Sequence, residues 1–127
     1  MNPPVALVVD DDPDIRGVVV YILERAGFVV HCAQDGEAGL IAAMAEPPDL
    51  VLLDWMMSGM SGVEVCRALR ASDQLGSVLV IMLTAKAQEP DVQLGIDAGA
   101  DDYIVKPFSP RALVDQVQAV LQRSAVH

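Results

Sequence analysis

The sequence predicts an α/β fold: one domain over residues 1–127 with a doubly wound, five-stranded parallel sheet and five helices. Apolar, strand-like runs alternate with helical patterns five times along the chain. The strand-like runs are apolar at successive positions, which is typical of strands that helices cover on both faces of a parallel sheet. A length of 127 residues suits a single domain of about 100–150 residues. We therefore expect no effector domain within this chain.

The strands are predicted from runs of four to six residues that are rich in Val, Ile and Leu and are bounded by polar residues, Gly or Pro. The core of the last strand is shorter and contains a tyrosine. In chain order the predicted strands are Val5–Val9, Phe28–Cys32, Leu50–Leu53, Val78–Leu83 and Tyr103–Val105.

The helices are predicted from their capping residues and from apolar positions at helical spacing. Asp12 followed by Pro13 is a typical N-cap and first helical residue. Ser61 and Glu64 have the spacing of a capping box. In chain order, the helices are expected from Pro13 to Gly27, from Asp35 to about Ala45, from Ser61 to about Arg70, from Pro90 to Gly99, and from Ser109-Pro110 onward.

Composition and charge exclude several function classes. Hydrophobic residues make up 53% of the chain, which excludes intrinsic disorder. The net charge is −10, so we expect no direct binding of nucleic acid or anionic membranes. The longest apolar runs are far shorter than the roughly 20 residues of a membrane-spanning helix, and the N-terminus lacks a basic start, so we expect a cytoplasmic protein. Cys32 and Cys66 are interpreted as two buried thiols, with a disulfide left open.

Four of the five predicted strands end in a reactive polar residue. These residues are Asp10 with Asp11, then Asp54, Thr84 and Lys106. Taken singly, each suits a turn, a helix cap or the surface, but ligands of open α/β sheets bind beyond the carboxyl ends of the strands. Carboxylates select hard cations such as Mg²⁺, and an ionised Asp is a nucleophile that needs no base. Their joint placement favours a Mg²⁺ site at which an aspartyl phosphate forms.

Five segments carry these residues: Val8-Val9-Asp10-Asp11-Asp12, Leu52-Leu53-Asp54-Trp55-Met56-Met57, Leu83-Thr84-Ala85, Gly99-Ala100-Asp101-Asp102-Tyr103 and Lys106-Pro107-Phe108. In this order they closely resemble the receiver domain of bacterial two-component response regulators. The resemblance covers nearly the whole chain. It implies a flavodoxin-like receiver fold with strand order 2-1-3-4-5, in which the first and third strands are neighbours.

The resemblance also implies which residues act on the metal and the phosphoryl group. Asp54 corresponds to the phosphoacceptor. Asp11 and Asp54 correspond to side-chain ligands of Mg²⁺, with Asp10 in support, and the backbone carbonyl of Met56 supplies a further ligand. Ser58 stands where the family usually has Pro, and we expect this difference not to touch the chemistry.

The remaining site residues correspond to those that respond to the phosphoryl group. Lys106 is expected to contact this group across a cis bond to Pro107. Thr84 is expected to donate its hydroxyl to a phosphoryl oxygen, and Tyr103 to reorient when Thr84 moves.

The implied partners are a sensor histidine kinase or a histidine phosphotransfer protein as donor, and a downstream effector protein or domain. Such a domain is a signalling element that catalyses only its own phosphorylation and slow dephosphorylation. The alternative is a phosphorylation-independent interaction scaffold with the same fold, which would bind its partners equally well as Asp54→Asn.

Overall fold

The computed structural model describes residues 3–85 and 89–125 of the chain, and it has the expected alternation of strands and helices. The elements are β1 Val5–Val9, α1 Pro13–Arg25, β2 Val29–Ala33, α2 Gly36–Ala45, β3 Leu50–Asp54, α3 Gly62–Ala71, β4 Leu79–Thr84, α4 Glu89–Asp97, β5 Asp102–Val105 and α5 Pro110–Ala125. The strands pair in parallel in the order β2-β1-β3-β4-β5. The predicted fold class and strand order are confirmed.

Two strands begin one residue later than predicted, because the N–H of the predicted first residue is hydrogen-bonded within the preceding turn. The N–H of Phe28 donates to the carbonyl of Leu23 at 3.0 Å, so Phe28 closes the end of α1 and β2 begins at Val29. The N–H of Val78 donates to the carbonyl of Leu75 at 3.1 Å in the same way. Apolar runs locate these strands, but hydrogen bonding of the preceding turn sets their first residue.

The sheet separates two apolar cores. The first contains Val19, Ile22 and Leu23 of α1 together with buried residues of α5. The second contains buried residues of α2 and α3 with Ala98, beyond the end of α4. Side chains of β1 and β3 alternate between the two cores, and all five residues of β3 are buried. Burial of each Leu or Val side chain contributes about 1.5–3 kcal/mol to stability. The central strands therefore hold the loops at their ends in fixed positions.

The predicted starts of α1 and α3 are confirmed by side-chain hydrogen bonds, whereas α4 begins at Glu89, one residue before the predicted Pro90. The Asp12 carboxylate accepts from the N–H groups of Asp14 and Ile15, at 2.9 and 3.4 Å. Ser61 and Glu64 form the complete capping box. These caps hold α1 and α3 directly after the ends of β1 and of the β3 loop, at the edge of the sheet where the polar residues lie.

Cys32 and Cys66 are both free thiols, but only Cys66 is buried. Cys32 lies exposed on the edge strand β2, so the interpretation of two buried thiols is wrong for Cys32. Within residues 3–85 and 89–125, every helix is too short or too polar to span a bilayer.

Candidate functional site

The parallel register brings the polar strand ends to one edge of the sheet. Val9 of β1 is paired with Leu53 of β3, so the residues that follow them, Asp10 and Asp54, occupy equivalent positions on neighbouring strands. On the other side, Thr84 of β4 is paired with Val105 of β5, immediately before Lys106. The convergence that the sequence predicted is therefore present.

Three carboxylates form the centre of this edge. Ligand oxygens of Asp10, Asp11 and Asp54 all lie within 4.8 Å of one another. Asp10 is fully buried and Asp54 is 6% exposed, while Asp11 faces solvent. Clustered carboxylate oxygens are the donors that Mg²⁺ prefers. Both the donor type and the spacing fit the predicted metal, with the exposed Asp11 on the open side.

Lys106 joins two of these carboxylates. Its Nζ donates to Oδ1 of Asp54 at 2.9 Å and to Oδ2 of Asp10 at 3.2 Å. One ammonium against the three clustered carboxylates leaves two negative charges in excess when all four groups are ionised. The cluster therefore repels further anions until a cation balances it.

The pKa shifts reflect this imbalance. Burial raises the pKa of Asp54, and although Lys106 acts in the opposite direction, the charges of Asp10 and Asp11 add to the rise. Burial alone would lower the pKa of Lys106, but its hydrogen bond to Asp54 and the charges of Asp54 and Asp10 raise it. The ammonium is thus held in its charged form, whereas ionised Asp54 lacks full compensation.

Asp10 is fixed by contacts other than Lys106. Its Oδ1 accepts from the N–H of Asp12 at 2.9 Å, and its backbone carbonyl accepts from Nη1 of Arg16 at 2.8 Å. The Asp12 carboxylate instead caps α1. Although Asp10, Asp11 and Asp12 are consecutive in sequence, only the first two belong to the carboxylate cluster.

The two predicted switch residues lie on β4 and β5. Thr84 is buried at the end of β4, and its carbonyl accepts from the N–H of Lys106 at 2.7 Å. Tyr103 packs partly buried against the second core, and its carbonyl accepts from Nε2 of Gln116 at 2.8 Å. The Lys106–Pro107 bond is cis, as predicted. The roles of the Thr84 hydroxyl and the Tyr103 ring stay predictions.

The loop after β3 holds the remaining predicted ligand and one contact that sequence reasoning missed. The Met56 side chain is 75% exposed, and metal ligation by the Met56 carbonyl stays a prediction. The backbone N–H of Ser58 donates to Oδ2 of Asp11 at 3.3 Å. The Ser58 amide thus contacts a predicted metal ligand, and the expectation that this position does not touch the chemistry stays a prediction. A backbone amide leaves no side-chain signal in a sequence, and the absence of Pro at this position was the only available indication.

Comparison with known proteins identifies close relatives. The family model for the "Response regulator receiver domain" matches residues 6–118. The DNA-binding response regulator MtrA of Mycolicibacterium smegmatis is 48% identical over 118 residues, and the alkaline phosphatase synthesis transcriptional regulatory protein PhoP of Bacillus subtilis is 48% identical over 120. These matches cover 93% and 94% of this chain but 50% and 49% of the relatives. The chain thus spans about half the length of these curated relatives.

Solved structures show the same architecture. The chemotaxis protein CheY4 of Vibrio cholerae superimposes with a TM-score of 0.90 at 34% identity, covering 93% of this chain and 98% of that one. A putative response regulator from Chloroflexus aurantiacus gives a TM-score of 0.90 at 32% identity, covering 94% and 98%.

Proposed function

The chain belongs to the family of response regulator receiver domains, and we propose that it acts in two-component signalling with Asp54 as its phosphoacceptor. The observation that carries this proposal is the position of Asp54. It lies within 4.8 Å of the other two clustered carboxylates and 2.9 Å from the Lys106 ammonium. A nucleophile, a cation and oxygen donors for a metal are therefore present together.

In the proposed reaction, a carboxylate oxygen of Asp54 attacks the phosphorus of a phosphohistidine. A P–O bond forms while the P–N bond breaks, and the leaving imidazole takes the electron pair of the P–N bond and a proton from solvent water. The donor is a histidine kinase or a histidine phosphotransfer protein. Lys106 holds Asp54 in place and sets its positive charge beside the incoming phosphoryl oxygens. Asp54 needs no general base when its carboxylate is ionised.

Mg²⁺ is the cofactor of this proposal. The side chains of Asp10, Asp11 and Asp54 and the carbonyl of Met56 would hold it, and the clustered carboxylate oxygens support this assignment. When bound, Mg²⁺ supplies positive charge that offsets the carboxylates and the phosphoryl oxygens.

The response to phosphorylation involves Thr84, Lys106 and Tyr103 in this proposal. A charge-assisted hydrogen bond from the Thr84 hydroxyl is worth about 1.5–3 kcal/mol, whereas moving a conformational ratio from 1:99 to 99:1 needs about 5.5 kcal/mol. Thr84 alone is therefore insufficient. Lys106, the loop after Asp54 and a bound partner supply the remainder.

The domain is proposed to be a single cytoplasmic receiver over residues 1–127, whose output is read by an effector protein or domain. Its only catalysis is its own phosphorylation and slow dephosphorylation. The net charge of −10 supports the absence of direct contact with nucleic acid or membrane. Family membership favours this signalling function over a phosphorylation-independent scaffold.

Intact-protein mass spectrometry after incubation with acetyl phosphate and Mg²⁺ tests the proposal. We expect one phosphoryl group on the wild type and none after chelation of Mg²⁺ or in Asp54→Asn. Asp101→Asn is the matched control, because Asp101 contacts Arg70 rather than Lys106, and it should still be phosphorylated. Equal phosphorylation of Asp54→Asn and wild type would contradict the proposal.

A further inference from the structure

The three clustered carboxylates are held in different ways. Asp10 and Asp54 are hydrogen-bonded to Lys106, and Asp10 also accepts from the N–H of Asp12. Asp11 is exposed, and among the described residues its carboxylate accepts one hydrogen bond, from the backbone N–H of Ser58 at 3.3 Å. The orientation of Asp11 therefore depends on the loop that follows β3.

We propose that the Ser58 amide is a positioning group that directs the Asp11 carboxylate toward Asp10 and Asp54 and so raises the affinity of the cluster for Mg²⁺. This inference rests on the proposed Mg²⁺ site. An exposed aspartate that is free to rotate loses side-chain entropy when it binds a metal. The amide reduces this loss because it holds the carboxylate beside its two partners before the ion arrives.

The hydrogen bond is compatible with metal ligation. A carboxylate has about four lone-pair sites on its two oxygens, so accepting one N–H leaves sites for a cation. The amide is neutral, so it orients Asp11 without adding a competing positive charge, unlike Lys106 at Asp54 and Asp10. The opposite possibility is that the amide competes with Mg²⁺ for Oδ2, and then its removal would tighten binding.

Two substitutions of Ser58 distinguish the effect of its backbone amide from the effect of its side chain. Ser58→Pro removes the N–H, whereas Ser58→Ala removes the hydroxyl and keeps the N–H. The Kd for Mg²⁺ is measured by titrating the fluorescence of Trp55, which directly follows Asp54 and is the single tryptophan of the sequence. We expect Ser58→Pro to raise the Kd by about two- to tenfold, as befits one exposed hydrogen bond, and Ser58→Ala to leave it unchanged.

A double-mutant cycle assigns the effect to Asp11. In an Asp11→Ala background, Ser58→Pro should cause no further rise in the Kd. If the proline ring itself prevents folding, an amide-to-ester replacement at Ser58 removes the same N–H without the ring and should raise the Kd by the same factor.

An unchanged or lower Kd in Ser58→Pro, or an equal rise in Ser58→Ala, would overturn the inference. A wild type that fails to bind Mg²⁺ would instead overturn the proposed metal site. The two failures are therefore distinguishable in one set of titrations.

Discussion

Lys106 and Arg70 both extend into the protein, with side chains 16% and 22% exposed, but their partners differ. The Lys106 ammonium donates to two carboxylates, those of Asp10 and Asp54. Arg70 meets three backbone carbonyls and one carboxylate, those of Gly76, Val78, Gly99 and Asp101.

The two cations differ in how well their neighbours balance their charge. The guanidinium of Arg70 is balanced by Asp101, which also accepts from the N–H of Val80 at 2.8 Å. These bonds connect the end of α3 to β4 and to the turn before β5. The ammonium of Lys106 instead faces an excess of carboxylates, which costs stability unless a cation binds. We infer that the balanced group supports the fold and the unbalanced one supports the chemistry.

The largest expected effect comes from removing each cation. Arg70→Met and Lys106→Met each leave buried polar groups without a partner and should lower the free energy of unfolding by about 3 kcal/mol in urea titrations with a chelator. Mg²⁺ should reduce the difference in unfolding free energy between Lys106→Met and wild type, because the ion offsets the carboxylate charge that the substitution leaves without a partner. The difference between Arg70→Met and wild type should not change with Mg²⁺. An equal reduction of the difference in both variants would show that the two cations do not differ in charge balance.

A smaller effect is expected at α4, which packs against the ring of Trp55. Trp55 follows Asp54, and a Cβ added at Gly95 of α4 would lie 2.9 Å from Cζ3 of its ring. Gly95→Ala should therefore destabilise by about 1–3 kcal/mol in thermal unfolding. The matched control is Gly17→Ala in α1, where the added Cβ would meet no atom within 4 Å and should stabilise by about 0.5–1 kcal/mol. Shifts of the same sign in both variants would be inconsistent with this packing.

The pH dependence of stability probes the surroundings of Arg70. Burial raises the pKa of the Cys66 thiol above its ordinary value of 9.0, with Arg70 opposing and Asp101 reinforcing the shift. The native state keeps this proton where the unfolded chain releases it. The contribution of Cys66 is thus fully present below the unfolded pKa and is lost as the pH rises through the folded one.

Urea titrations above about pH 9 measure this contribution. Wild type should lose up to about 1.4 kcal/mol per pH unit more than Cys66→Ala. Cys32→Ala, which removes an exposed thiol, is the matched control. Parallel pH profiles for wild type and Cys66→Ala would show that the thiol proton is not linked to folding.

The smallest effect is the change in stability when one carboxylate is neutralised, either beside Arg70 or in the carboxylate cluster, and the two changes should have opposite signs. Asp101→Asn removes the charge that balances Arg70 and should destabilise by about 1 kcal/mol. Asp11→Asn removes one of the excess negative charges. Without Mg²⁺ it should therefore raise the Tm slightly, which corresponds to a gain in stability of at most about 0.5 kcal/mol. Thermal unfolding in the presence of a chelator measures both changes in stability. If Asp11→Asn lost as much stability as Asp101→Asn, the carboxylate cluster would not carry an excess of negative charge.

Sequence patterns predicted the parts of this molecule that depend on local order. The limits of β1 and the caps of α1 and α3 follow from short apolar runs and capping residues. The placement of Asp10, Asp54 and Lys106 at one edge of the sheet follows from their positions at the ends of parallel strands. The strand order came from the resemblance to a family, because five similar β/α units do not by themselves specify which strands are neighbours.

The remaining features depend on contacts between distant residues or on backbone groups. Arg70 resembles any polar residue at the end of a helix, and its partners Gly99 and Asp101 lie about 30 positions later in the chain. The amide of Ser58 has no side-chain signal, although it reaches Asp11 across 47 positions. Exposure of Cys32 follows from β2 being an edge strand, which becomes known only with the order of the sheet.

Equilibrium unfolding at increasing Mg²⁺ concentration and matched ionic strength tests whether the excess carboxylate charge around Asp54 makes a Mg²⁺ site. Wild type should gain about 2.7 kcal/mol when the Mg²⁺ concentration reaches a hundred times its Kd, and Asp54→Asn should gain much less at the same concentration. No gain in wild type, or an equal gain in Asp54→Asn, would show that these carboxylates do not form a Mg²⁺ site.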